Sequence, residues 1–239
     1  MAILSLKHVS KSFGALKVTD DVSFDLAAGE ALGIIGPNGA GKSTLFNLIT
    51  GNVKPDAGQV FLDGRDVTGE LPMQRAASGI GRSFQIPQPF GHLSVYENLL
   101  VAARFGGELS AQDAPGFCMD ILSRTGLASV AEKTAGGLPL LQRKRLELAR
   151  AMATQPRVIL LDEIAGGLTD GECVELVATI KSIHAKGTAI IWIEHVLHAL
   201  NSVVERLMVL NFGKMLMIGA PDAVMASPEV KEIYLGIEA

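Results

Sequence analysis

Two short stretches carry residue types whose spacing suits the handling of a phosphate ester. GPNGAGKS at 36–43 fits the pattern G-x-x-x-x-G-K-[ST] and lies between an apolar run and a helix-like segment. Gly36, Gly39 and Gly41, with Pro37, Asn38 and Ala40 between them, let the backbone curl so that N–H groups surround phosphate oxygens. A Cβ at any of the three glycines is expected to obstruct that approach. Lys42 offers a cation to the β- and γ-phosphates, and the Ser43 hydroxyl can ligate Mg²⁺. A helix running from Lys42 through Thr44 points its positive end at the anion. The second stretch, VILLDE at 158–163, ends four aliphatic residues in two acids. Asp162 can hold Mg²⁺ through water, and Glu163 beside it can polarise an attacking water. The bland alternatives are a chance glycine-rich turn and a strand that happens to end in an acid. Their occurrence in one chain, each in its proper local context, argues against both.

These residues need a scaffold, and the hydrophobic patterning indicates one. Residues 3–9 and 20–26 alternate between apolar and polar, as antiparallel strands with one buried face do. ALGIIG at 31–36, VILLD at 158–162 and AIIWIE at 189–194 are near-continuous apolar runs, the pattern of strands buried on both faces. Helix-like segments between the apolar runs imply an α/β fold with a mainly parallel sheet. Between residues ~90 and ~150 such strands are missing; SVYENLLVAARF, GFCMDILSRTGL and LLQRKRLELARAM read as helices inserted into that core. RLMVLNFGKMLMIG at 206–219 reads as a hairpin turning at Asn211–Gly213.

Composition removes several classes. The chain has 239 residues, a net charge of −4 and 19% charged residues, which is neither a nucleic-acid footprint nor a disordered composition. Mean hydropathy is high, at +0.32, yet apolar runs such as AIIWI (189–193) fall far short of the ~20 residues a spanning helix needs. The excess is expected in buried strands and in surface that awaits a partner. Cys118 and Cys173 are too few for a disulfide or metal framework, so a reducing compartment is expected. The start, MAILSLKHVSKSF, has no long apolar stretch and reads as no signal peptide, which points to the cytosol. His195 and His198 have metal-like spacing but no evident third ligand.

The guanine-reading N-K-x-D and the dinucleotide fingerprint G-x-G-x-x-G after the first buried strand are both missing. The order of features instead resembles the ATPases of ABC transporters over essentially the whole chain. Phe13, in KSFGALKV, matches the family's aromatic that stacks on adenine, with Val18 beside it. Gln85, in RSFQIPQPF, matches its glutamine that touches Mg²⁺ and senses the membrane subunit. His195, in WIEHVLHAL, matches its histidine that contacts the γ-phosphate. Each match alone is weak, and their shared order is what makes them informative. The resemblance implies a P-loop NTPase core with an N-terminal antiparallel β subdomain over 1–90 and 155–239, and an inserted helical subdomain over 91–154. GRSFQ, SVYENLLVAAR, KRLELARAMATQP and the tail from LMVLNFGKMLMIGAP to VKEIYLG look like the subunits of branched-chain amino-acid importers. That type pairs two related ATPases with two membrane subunits on the inner face of the cell membrane, and no nucleic-acid partner is expected.

One stretch departs from the family. Aligning KRLELARAM puts LPLLQ (138–142) where the family usually has L-S-G-G-Q, the signature that closes on the γ-phosphate held by the partner cassette. TAGGL (134–138) is the rival, at the expense of a four-residue insertion before the helix. Pro139 has neither the serine hydroxyl nor an N–H, though proline suits a first helical turn, and Leu140 and Leu141 add bulk where glycine allows close approach. Charge-assisted hydrogen bonds contribute ~1.5–3 kcal/mol each, so losing two costs several kcal/mol and two or more orders of magnitude in rate. Ile164 stands where proline usually follows the glutamate, and Thr169 where the family has Asp or Asn. The departures cluster on parts given to the partner. They imply half of a heterodimer, with a homodimer as the alternative. QIPQPFGHL (85–93) is expected to dock a membrane-subunit helix. A soluble non-transport ABC ATPase and an idle regulatory cassette are the competing readings.

Overall fold

In the computed structural model, residues 1–235 are described, so Gly236 of the C-terminal tail and the end of the 1–239 span lie outside them. Strands β1 (Ala2–Phe13) and β2 (Leu16–Ala27) form a long hairpin, and β3 (Ala31–Ile35) leads through the glycine-rich loop into α1 (Lys42–Thr50). Next come β4 (Ala57–Leu62), β5 (Arg65–Asp66), α2 (Pro72–Ala77) and β6 (Ile80–Arg82). Three helices follow: α3 (Val95–Phe105), α4 (Ala114–Arg124) and α5 (Leu140–Ala153). The rest alternates as β7 (Val158–Asp162), α6 (Asp170–His184), β8 (Ala189–Ile193), α7 (Leu197–Asn201), β9 (Arg206–Asn211) and β10 (Lys214–Gly219), then α8 (Pro221–Ala226) and α9 (Pro228–Leu235).

The strands make two sheets. The first, ordered β2-β1-β4-β5, is antiparallel; the second, ordered β10-β9-β3-β8-β7-β6, is parallel from β9 to β6 and closes with antiparallel β10. This is the expected α/β architecture with a mainly parallel sheet and an N-terminal antiparallel sheet. Helices α3–α5 lie in sequence between β6 and β7, which are neighbours in the parallel sheet. The α3 start is written locally: Ser94 accepts from Glu97 N at 3.1 Å while Glu97 Oε2 accepts from Ser94 N at 2.7 Å.

Because side chains alternate along a strand, each central strand feeds two cores. Leu32, Ile34, Leu160, Ile191 and Ile193 pack toward β1, β4 and α1, whereas Ala31, Ile35, Ile159, Leu161 and Trp192 pack toward α5, α6 and the inserted helices. That double burial explains why these strands read as unbroken apolar runs. α1 is tied down at its far end by the buried Arg75 guanidinium, which donates to Leu48 O at 2.7 Å and Ile49 O at 2.8 Å. The turn of the last hairpin uses left-handed Phe212 and Gly213, as the Asn-Phe-Gly sequence suggested.

Candidate active site

The chain delivers its polar residues from the C-terminal ends of parallel strands, the edge where open α/β sheets bind ligands. β3 ends in the glycine-rich loop, β6 runs on toward Gln85, β7 ends at Asp162–Glu163, and β8 is followed by Glu194–His195.

The loop's shape is set by its neighbours as well as by its own backbone. Gly36 and Gly41 have φ of 156° and 100°, and a Cβ on them would lie 2.2 Å from Leu210 O and 2.4 Å from Val18 O. The tightest obstacle to larger residues there is backbone carbonyl, in addition to any phosphate. Gly39 differs from the other two. It is exposed, and a Cβ there would meet no atom of the protein within 4 Å. Its left-handed backbone, φ 81°, is what favours glycine at that position. Gly213 N donates to Ala40 O at 3.0 Å while its own carbonyl accepts from Asp20 N at 2.8 Å, so the last hairpin clamps the loop to β2. Val18 thus lies against the loop, half-buried, and Phe13 stands exposed at the tip of the first hairpin. α1 begins at left-handed Gly41 with no side-chain cap and no acid in its first turn, leaving its positive end uncompensated. Lys42 is buried and folds back over the loop, donating to Gly36 O at 2.7 Å and Pro37 O at 3.1 Å. Burial lowers its pKa, and the charges of Glu163 and then Asp162 oppose that shift. Pro37 is half-buried, Asn38 and Ser43 are exposed, and Thr44 is half-buried on α1.

Three residues read separately from the sequence meet at Glu163. Gln85 Nε2 donates to Glu163 Oε2 at 2.5 Å, and His195 Nε2 lies 2.7 Å from Glu163 Oε1. Glu163 holds a left-handed backbone, φ 46°, anchored by its N–H to Ile193 O at 2.8 Å.

Asp162 has a partner that sequence reading missed. Arg82 donates from Nη2 to Asp162 Oδ2 at 2.8 Å and from Nη1 to Asn47 Oδ1 at 2.7 Å, with its guanidinium 4.9 Å from the Phe84 ring centroid. Burial raises the Asp162 pKa, while the hydrogen bond and charge of Arg82 pull it back. The arginine sits two positions before the Phe84–Gln85 pair, in the GRSFQ that the sequence already singled out. Both side chains are nearly buried, 9% and 8% exposed. Arg82→Met would strand a buried carboxylate, and a stability loss of about 3–5 kcal/mol is expected in chemical denaturation. A loss near zero would mean that water substitutes for the arginine.

The helix start after LPLLQ is intact but bare. α5 begins at Leu140 with Pro139 as its extended cap residue and no side-chain hydrogen bond; the proline precedes the first turn instead of occupying it. Leu141 packs partly into the core, while Leu140 stays 44% exposed beside Gly167. TAGGL forms a short 3₁₀ turn instead, and Gly136 is pressed on Gly91, its N–H donating to Gly91 O at 2.9 Å. Thr169 caps α6: its hydroxyl accepts from Glu172 N at 3.4 Å and donates to Glu172 Oε2 at 2.9 Å. Ile164 is buried in the core.

A glycine-rich loop leading into a helix, a carboxylate pair and a histidine on one sheet edge are the parts a nucleotide-hydrolysing cassette needs. The family model described as "ABC transporter" matches residues 19–166. The chain is 33% identical to the lipopolysaccharide export system ATP-binding protein LptB of Haemophilus influenzae, over 99% of this chain and 98% of that protein. It is also 33% identical to the probable branched-chain amino acid transport ATP-binding protein LivG of Methanocaldococcus jannaschii, again over 99% and 98%. The crystal structure of an ATP-binding cassette of an ABC transporter in its ADP conformation superposes with a TM-score of 0.88 at 32% identity, covering 99% of this chain and 100% of that one. The chain belongs to the ABC transporter family and is one of its ATP-binding, ATP-hydrolysing subunits. Cassettes of this family work as dimers with membrane components.

Proposed function

We propose that the chain is the ATP-hydrolysing motor of an importer for branched-chain amino acids or related small solutes, and that it works as one half of an asymmetric pair of cassettes. The observation that carries the hydrolytic part is the Glu163 carboxylate bracketed by Gln85 and His195 next to Asp162. Glu163 takes the proton of the attacking water, and His195 holds the carboxylate and contacts the γ-phosphate. Lys42 and the loop N–H groups of Gly36 and of Asn38 through Gly39 to Thr44 take the phosphates, and Phe13 with Val18 receives the adenine.

Mg²⁺ fits the donor set. Ser43 offers a hydroxyl, Gln85 commits its N–H to Glu163 and keeps its carbonyl oxygen, and Asp162 spends one oxygen on Arg82 and keeps the other. All are hard oxygen ligands. Among the described residues no group of three or more His, Cys, Asp or Glu could hold a metal, so the ion would depend on these oxygens and the nucleotide's own. When bound it supplies charge neutralisation on the β- and γ-phosphates.

Import is supported by the LivG relative and by the tail and GRSFQ sequences. The equally similar LptB relative favours a second reading, a motor for lipid export. No helix among the described residues is long and apolar enough to cross a membrane. Attachment to the cytosolic face would use an exposed apolar groove. Phe90 from the expected docking segment lines it, joined by Met73 of α2 and Phe105 of α3, which sequence reading did not include, and Ile86 of the same segment is exposed. Arg150 shapes it by donating to Gln88 O at 2.8 Å and lying 5.1 Å from the Phe90 ring centroid.

Lys42→Ala is expected to abolish tight ATP–Mg²⁺ binding, measured by calorimetry on the assembled complex. Unchanged affinity would remove the lysine from the phosphate site. Reconstitution with candidate membrane subunits, assayed with radiolabelled leucine and with lipid, separates import from export.

A further inference from the structure

The peptide units around Glu163 are held by two buried charged residues outside the glycine-rich loop. Glu194, just after β8, is 1% exposed. Its Oε2 accepts from Ala165 N at 2.9 Å, and its Oε1 accepts from His195 N at 2.9 Å and Val196 N at 3.4 Å. One carboxylate therefore ties the chain leaving Glu163 to the chain carrying His195. The second is Lys144, in the second turn of α5 and 4% exposed, with Nζ 3.4 Å from Glu163 O. Burial lowers the Lys144 pKa, and the charges of Glu194 and then Glu163 oppose that shift.

The position being gripped is a strained one. A left-handed backbone is unfavourable for a non-glycine residue, and it persists only where its surroundings over-determine it. At Glu163 the over-determination has named parts. Its N–H is held by Ile193 O, its C=O is faced by Lys144, and Glu194 holds the N–H of Ala165, two residues on. Buried charges are expensive unless compensated. A fold needing only apolar packing between α5 and β8 would place aliphatic residues here.

We infer that Lys144 and Glu194, two buried charges that hold the backbone at and beyond Glu163, together position the Glu163 carboxylate between Gln85 and His195. They are positioning residues for hydrolysis and take no part in binding nucleotide. The inference rests on the reading of Glu163 as the general base. It also gives α5, whose start carries LPLLQ, a direct mechanical link to the hydrolytic carboxylate of its own chain.

The test compares Glu194→Gln, Lys144→Met and the double variant with the unmodified chain, each in the complete complex, with Glu163→Gln as control. Glu194→Gln turns an amide N–H₂ toward one of the backbone donors, and Lys144→Met removes the cation at similar length. If the two residues position the base, each single variant loses roughly 10–100-fold in kcat, the effect of a small misplacement. Mg-ATP affinity stays unchanged, and the double variant is no worse than the worse single one, because the two act as a unit. The inference is overturned if both single variants keep normal kcat, if affinity falls as far as kcat, or if the lost activity only tracks lost folded complex in thermal melts. Undiminished turnover in Glu163→Gln would overturn the general-base reading and this inference with it. A dead Glu163→Gln beside active Lys144 and Glu194 variants would overturn this inference alone.

Discussion

In the assembled complex, Glu163→Gln is expected to lower steady-state ATP turnover by about 10²–10⁴-fold, the span of a positioned general base, while ATP binding is retained. Glutamine has the shape of glutamate but cannot take a proton. Its carbonyl can still accept from Gln85 and its N–H₂ can still face His195, so the contacts at 2.5 Å and 2.7 Å survive in altered form. Lys42, the glycine-rich loop and the bare start of α1 are untouched, which is why affinity should hold. Steady-state hydrolysis and calorimetric binding, measured on one preparation, read the two halves of the expectation. Normal turnover would show that another group activates the water.

The second large effect concerns the helix start at Pro139. The isolated chain is expected to hydrolyse ATP weakly, since a homodimer would set LPLLQ against both phosphates. A partner cassette with an intact signature should raise the rate by two or more orders of magnitude, equivalent to the several kcal/mol of two lost charge-assisted hydrogen bonds. The restored variant Pro139→Ser, Leu140→Gly, Leu141→Gly locates the gain. In a complex whose own hydrolysis is disabled by Glu163→Gln, it should regain residual ATPase at the nucleotide held by the partner, and the native sequence should not. A modest stability loss of ~1–2 kcal/mol accompanies two glycines in the first turn. Leu140 is exposed and Leu141 only partly packed, so their removal opens no large cavity. Equal residual rates from both sequences would place the signature elsewhere, with TAGGL next. Its 3₁₀ turn and the close Gly136–Gly91 contact make it a poorer phosphate site than a helix start. Brisk, cooperative hydrolysis by the pure chain would end the asymmetric reading altogether.

What could be read from the sequence was whatever is encoded locally. The glycine-rich loop, the apolar strands at 31–35, 158–162 and 189–193, the last hairpin and the three inserted helices all appear where the pattern placed them. Turn chemistry, helix caps and side-chain periodicity act over a few residues, so neighbours in sequence carry the information. The short β4, β5 and β6 and the small helices α2, α7, α8 and α9 were less legible, because segments of two to eight residues hold too few periods to stand out. The first hairpin proved longer than its alternating parts, reaching Phe13 and restarting at Leu16. The residue types needed for phosphate, magnesium and water could likewise be named from order and spacing.

Only the tertiary structure decided how those residues meet. Gln85, Glu163 and His195 are 78 and 32 positions apart along the chain, yet they share one carboxylate, because parallel strands bring distant segments to the same sheet edge. Within the glycine-rich loop, the packed neighbours crowd Gly36 and Gly41 and leave Gly39 open, a difference the spacing of the three could not carry. The Arg82–Asp162 pair, the Arg75 grip on α1 and the hold of Lys144 and Glu194 on the backbone around Glu163 could not be read from the sequence. A charged residue in a string of letters does not reveal whether it faces water or is buried. Burial is a property of the packed whole, and it turns an ordinary lysine or glutamate into a group that must be compensated where it stands.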